Sequence, residues 1–227
     1  MQVKLVNENS LIIYFADSVS IETADYITYA YHQLQLNLND VILDIIPSYT
    51  SILISCNSRK IGLRAFFWRV QDILNKFDSK GVDNFNSKQI ELPVYYGEEV
   101  ALDHAQISAH TTLPFSEIVR LHTSMCYRVF AIGFAPGFAY LGNTPEKIAI
   151  PRKVNPRTHV PTGSVGIADR QTAVYPRQSP GGWQIIGRTP INLLDITNTN
   201  LSKFSMGDQV RFKSIDKQTF LSMGGIL

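Results

Sequence analysis

The stretch SPGGWQIIGRTP, residues 179–190, has from Gly182 onward the spacing of a phosphate-cradling loop, with Arg188 where the lysine belongs. Such a loop needs a glycine-rich turn that leads into a helix, whose free N–H groups hold the phosphate. Here the interior of the match is Trp-Gln-Ile-Ile, an apolar run suited to a strand, and Pro190 disfavours a helix continuing through Thr189. The turn is Pro180-Gly181-Gly182 and the strand follows it. The nucleotide-loop reading fails. Arg188 is left as a side chain leaving a strand, still able to bind an anion.

The segment around it differs from the rest of the chain. Residues 126–190 hold 8 of the 11 prolines and 8 of the 14 glycines. Their basic residues are Arg128, Lys147, Arg152, Lys153, Arg157, Arg170, Arg177 and Arg188, against only Glu146 and Asp169. Eight charges against two give this segment +6 and leave the remaining chain at −4, within a net charge of +2. That asymmetry favours an anionic ligand or an acidic partner surface, with a solvated basic face as the bland alternative. Proline and glycine at this density stiffen loops and bring backbone amides close to a ligand.

Familiar catalytic templates are missing. No serine sits in G-x-S-x-G, although Ser164 and Ser179 lie in tight glycine turns. His104 and His110 are six apart, which does not align them on one helix face as zinc ligands, and no metal site is expected. Of the five histidines only His159 lies inside the basic loops, and it alone is a site candidate. Aromatic and basic residues do not interleave as in single-strand nucleic-acid platforms, so nucleic acid is not an expected partner. Cys56 and Cys126 are isolated and read as two reduced, buried thiols. The N-terminal MQVKLVNENSLIIYF is no secretion signal, and no 18-residue apolar run occurs. A cytoplasmic chain without a membrane partner is expected.

These residues need elements to position them. With 44% apolar and 18% charged residues, 227 residues suffice for one large or two small cores. Residues 2–6 and 11–15 read as strands joined at Asn7-Glu8-Asn9. Ser20 caps a helix with Ile21, Ala24, Ile27, Tyr31, Leu34 and Leu38 on one stripe. VILDIIP (41–47) and TSILISC (50–56) are strands, and a helix from about Lys60 carries Leu63, Phe67, Val70, Leu74 and Phe77. This order predicts a small α+β domain with helices laid on an antiparallel sheet. The polar, aperiodic DSKGVDNFNSKQ (78–89) marks a boundary, placing one domain at 1–82 and a second at 83–227. In the second, ELPVYYG (91–97) is a strand, Asp103 caps one short helix, and SEIVRLHTS (116–124) forms another. From Tyr127 on, short strands between turns predict a mainly β unit, read as a barrel.

Three strings carry a resemblance: GFAPGFAYLG (133–142), PRKVNPRTHVPTGSVGIADRQTAVYP (151–176) and SPGGWQIIGRTP (179–190). They resemble the signature of a family with three overlapping names: allophanate hydrolase subunit 1, the KipI-type sporulation kinase inhibitor, and the B component of the ATP-dependent bacterial 5-oxoprolinase. The similarity covers essentially the whole chain. Departures are few: Ala139 stands where proline is common, Thr162 where alanine is usual, and Asp169 and Ala173 where glycines are frequent. The resemblance implies an N-terminal α+β domain followed by a cyclophilin-like β-barrel. It also implies partnership with the A and C components of 5-oxoprolinase in converting 5-oxo-L-proline to L-glutamate with ATP, accompanied by Mg.

Phosphorylating a lactam oxygen is a matter of positioning and of cations around the transferred group. On that basis Arg152, Arg157 and Arg188 are the candidate catalytic cations, with Gln171 beside them. Arg177 and the backbone of Gly163, Ser164, Gly181 and Gly182 are candidate donors to substrate. Phe138, Tyr140, His159, Tyr175 and Ser179 complete the candidate binding set. The alternative reading is a module that inhibits a sensor histidine kinase, since arginine-rich loops suit an acidic protein surface as well as a nucleotide.

Overall fold

A computed structural model describes residues 1–77, 87–194 and 202–227. The chain divides into two compact units, Met1–Ser87 and Lys88–Leu227. The predicted division at 82/83 lies outside the described residues.

The first unit is a four-stranded antiparallel sheet, ordered β1 (Gln2–Leu5), β2 (Ser10–Tyr14), β4 (Ser51–Cys56), β3 (Ile42–Pro47). Its central strands bury every second residue: Leu11 and Ile13 in β2, and Ile52, Ile54 and Cys56 in β4. That period-2 face is covered by α1 (Ile21–Leu38), through Ala24, Ile27, Ala30, Leu34 and Leu38. Ser20 caps α1 as expected, its Oγ accepting the Thr23 N–H at 3.0 Å. The predicted stripe is too wide at its start, because Ile21 lies in the first turn and faces solvent.

The second helix, α2 (Leu63–Asn75), starts later than the expected Lys60. The N–H groups of Lys60 and Ile61 are taken by the Asn57 carbonyl in a turn, and Gly62 is extended. Val70 and Leu74 of the expected stripe are buried, joined by Phe66, while Leu63 and Phe67 are only partly buried. Phe77 packs edge-on against Tyr26 and Tyr29 of α1.

The second unit is a closed seven-stranded barrel. Around it run β10 (Gln171–Val174), β7 (Ala139–Gly142), β6 (Cys126–Ile132), β13 (Gln209–Ile215), β5 (Gln89–Tyr95), β12 (Gln184–Arg188) and β9 (Ser164–Ala168). All neighbours are antiparallel except β5 and β13, which pair in parallel from Gln89↔Gln209 to Tyr95↔Ile215. A separate ribbon joins β8 (Arg157–Val160) to β11 (Ser179–Gly181). Helices α3 (His104–Thr111), α4 (Phe115–Thr123) and α5 (Lys217–Ser222) complete the unit. The 184–188 segment is a strand, as its apolar run required. Cys126 departs from expectation: as the first residue of β6 it is exposed, while Cys56 is buried.

The barrel interior is apolar, with Leu92, Val94, Val129, Leu141, Val165, Ile167, Ile186 and Phe212 among its residues. One imidazole is set inside it. His122 accepts from the Tyr96 hydroxyl at Nδ1 (2.9 Å), and its Nε2 lies 2.9 Å from Thr172 Oγ1. Thr172 donates to the Gly166 carbonyl, so its oxygen accepts from His122, which fixes the neutral Nε2–H tautomer. The ring stacks on Phe212 at 4.6 Å. Burial pushes the His122 pKa down to about 3.

A neutral imidazole whose folded pKa lies below its unfolded value costs stability as pH falls. Between about pH 6.5 and 3 the unfolded chain binds the extra proton, and this ring removes roughly 1.4 kcal/mol per pH unit. Denaturant midpoints measured from pH 7 to 4.5 should fall accordingly. A His122→Phe variant, which cannot titrate there, should show a shallower slope.

Candidate functional site

Side chains alternate along the barrel strands. On β9, Val165 and Ile167 point inward, while Ala168 joins a second apolar cluster on the opposite, outer face. That cluster is built of Phe138, Tyr175, Trp183 and Ile185, with Tyr140 packed at its edge. Phe138 is its hub: its ring centroid lies 5.0 Å from Tyr140, 5.4 Å from Tyr175 and 5.7 Å from Trp183, all edge-on. Gly166 makes room for Trp183, since a Cβ there would meet the indole's own Cβ at 3.0 Å.

Two features mark this face as more than packing. Phe134 is 63% exposed and holds a left-handed φ of 69°, yet its ring leans 5.1 Å from Phe138 and 6.5 Å from Tyr175. A bulky residue in that backbone region is strained, and such strain concentrates at functional sites. The guanidinium of Arg152 sits over the Trp183 ring at 5.7 Å. Burial raises the pKa of Tyr175, opposed by the Trp183 amide and by the positive charges of Arg152 and Arg157. The Tyr175 hydroxyl lies so close to Gly181 that a Cβ there would approach it to 2.3 Å. Arg152, Phe138, Tyr140, Tyr175 and Gly181 are thus brought together, with an aromatic floor and a cation above it.

The wall beside this floor is held by one carboxylate. Asp103 occupies the N-cap position of α3 but makes no capping bond there. Its side chain turns instead into the protein, where it is 3% exposed. It accepts from Arg157 through both Nη atoms (2.6 and 2.7 Å), from Lys153 Nζ (2.7 Å) and from the Ile185 N–H (2.7 Å). Burial pushes its carboxyl pKa up, and these hydrogen bonds outweigh that and hold it below the usual range. The expectation that Arg157 faces a ligand gives way here, because Asp103 fills its fork.

A second group forms at the Tyr175 end of the same strands. Arg188 of β12 stands directly opposite Ser164 of β9. Arg188 is 7% exposed, and its Nη1 donates to the Ile226 carbonyl at 2.8 Å. Gly163 turns tightly against both with φ 79°, and a Cβ on it would lie 2.4 Å from the Thr189 carbonyl oxygen. Its N–H is donated to the Tyr175 carbonyl, and that of Ser164 to Pro161, so neither amide is a free donor.

The remaining candidates lie apart. Gln171 is four residues from Tyr175, at the other end of β10, about 13 Å along the strand. Arg177 and His159 are exposed, and the His159 ring contacts Thr158. Ser179 belongs to the β8–β11 ribbon, and Gly182 accepts from the Lys153 N–H. Sequence reasoning missed Asp103 and Phe134. In the sequence, Asp103 reads only as a helix cap, and the positive excess of 126–190 points to an anionic ligand or acidic partner rather than to an internal carboxylate.

Removing one partner of a buried charge network leaves the others uncompensated. Asp103→Asn should therefore lower stability by about 2–4 kcal/mol, discounted because Lys153 and Arg157 keep partial access to solvent. Chemical denaturation of the single variant checks this, and Lys153→Met should cost distinctly less.

The family model for the carboxyltransferase domain, subdomains C and D, matches residues 1–204. A protein of Bacillus subtilis named as the B component of 5-oxoprolinase is 30% identical over 227 residues, covering 96% of this chain and 95% of that one. The protein of the same name from Escherichia coli O157:H7 is 47% identical over 126 residues, 56% of this chain and 58% of its own. Among solved structures, TTHA0988 superimposes with a TM-score of 0.79 at 26% identity, over 95% of this chain. The chain spans only 40% of that protein's length. On the family match and the full-length relative together, the chain belongs to the carboxyltransferase family, as its subdomains C and D.

Proposed function

We propose that this chain is the B component of an ATP-dependent 5-oxoprolinase, working in the cytoplasm with the A and C components to open 5-oxo-L-proline to L-glutamate. The observation that carries this reading is similarity across 96% of the chain to a protein bearing that name. The geometry supports it with an aromatic floor suited to a small ring, a cation over that floor, and a rigid wall. We further assign the barrel to the cyclophilin-like class.

In this reaction the γ-phosphoryl group of ATP passes to the lactam oxygen and ADP leaves. Water then adds to the activated carbon, the ring C–N bond breaks to the free amine and leaves an acyl phosphate, and a second water releases phosphate and the carboxylate. ATP, accompanied by Mg, supplies the activation. This chain's own part is to bind and orient: the Phe138–Trp183 floor excludes water, and Arg152 offers charge to an anionic group. The Tyr175 hydroxyl, whose oxygen accepts the Trp183 backbone N–H, keeps a proton to donate. Arg157 and Lys153 act through Asp103 to hold the wall.

Co-purification with the A and C components should give ATP-dependent glutamate release, and the chain alone should give none. Arg152→Ala in the reconstituted complex should reduce activity roughly ten- to a hundredfold, the worth of one charge-assisted hydrogen bond, with little change in melting temperature. Turnover by the chain alone, or an unaffected Arg152→Ala complex, overturns the assignment of roles.

A further inference from the structure

Among the described residues, no carboxylate answers the charge of Arg188. Its one hydrogen-bond acceptor is the neutral Ile226 carbonyl, and its Nε is buried without a partner. Burial alone shifts its pKa, downward, with no neighbouring charge to oppose it. Arg157 and Lys153, on the same unit, are paired with Asp103. Buried charges are costly unless paired, so an unanswered guanidinium calls for an anion.

The residue directly across from it has the same deficit. Ser164 is fully buried, and its Oγ has no hydrogen-bond partner. Directly opposed antiparallel residues project from one face with Cβ atoms about 5 Å apart, so the hydroxyl and the guanidinium share a space. The segment that follows α5 bends at Gly224 (φ 86°) and brings the Ile226 carbonyl onto one arm of the Arg188 fork.

We propose that Arg188 and Ser164 form a buried oxyanion site beside this segment, taking a carboxylate or a phosphate group. A planar fork with an adjacent hydroxyl matches two oxygens of either ligand. The Ile226 carbonyl oxygen stands where one of those oxygens would bind, and the ligand displaces it.

The test uses the purified single chain, so its outcome is independent of whether a 5-oxoprolinase complex assembles. Calorimetry and thermal melts are run in sodium phosphate, in sodium acetate and in sodium chloride at equal ionic strength. Saturable binding and a concentration-dependent rise in melting temperature are expected with phosphate or acetate, but not chloride. A response to phosphate alone assigns a phosphoryl source, and a response to acetate a carboxylate source. Arg188→Gln and Ser164→Ala should each weaken that binding about tenfold or more. In chloride, Ser164→Ala should melt at or above the wild-type temperature, since its hydroxyl has no partner to lose. No difference from chloride, or undiminished binding in both variants, overturns the site. So does a Ser164→Ala chain that melts lower in chloride, which marks the hydroxyl as structural.

Discussion

The outer face of the barrel depends on the ionised carboxylate of Asp103. It is the point where three segments with no sequence proximity meet: the start of α3, the 151–157 loop and β12. Its four donors come from two cationic side chains and one backbone amide, and each is worth more in a water-poor setting than at the surface. Desolvating a charge is expensive, and only a full set of donors offsets the cost. The arrangement is therefore all-or-none, which suits a wall that must keep one position beside an aromatic floor.

The same carboxylate divides the basic residues by role. A segment carrying +6 would repel itself if its charges were equivalent. Asp103 neutralises part of that charge by binding Lys153 and Arg157, which fixes them as scaffold. Arg152 is stabilised instead by the face of Trp183 and keeps its solvent access. Among the described residues, neither kind of compensation reaches the buried Arg188. Three arginines that look alike in sequence thus occupy three different electrostatic situations, and only geometry distinguishes them.

What could be read from residue order follows from local physics. The strands of the first unit, the Ser20 cap and the strand nature of 184–188 are set by alternation, capping chemistry and proline, all within a few residues. Asp169 takes φ 52°, the left-handed region that suits the glycine frequent there in the family. Long-range demands were not legible. Asp103 looks like a capping residue because aspartate before a helix usually is one. Its actual partners lie 50 to 82 positions away. Phe66 rather than Phe67 is the buried aromatic of α2, because 66, 70 and 74 follow one another at steps of four on the face that Val70 and Leu74 already define. The family strings drew attention to residues 133–190, while the side-chain pairings within them required the fold.

The parallel pairing of β5 with β13 bears on how the molecule is made. These strands are the first and last of the barrel, and the contact between Lys88 and Asp208 spans 120 positions. During synthesis, the first unit has all its strands and both helices before β5 emerges. The barrel cannot close until β13 is complete, and until then β5 lacks its parallel neighbour and β6 one of its two. Closing so long a loop carries a large entropic cost before any contact rewards it, which makes this step slow relative to the local sheet of the first unit. Exposed strand edges in that interval invite pairing with other chains. The growing chain thus carries unpaired barrel edges open to other chains for as long as its last strand is still on the ribosome.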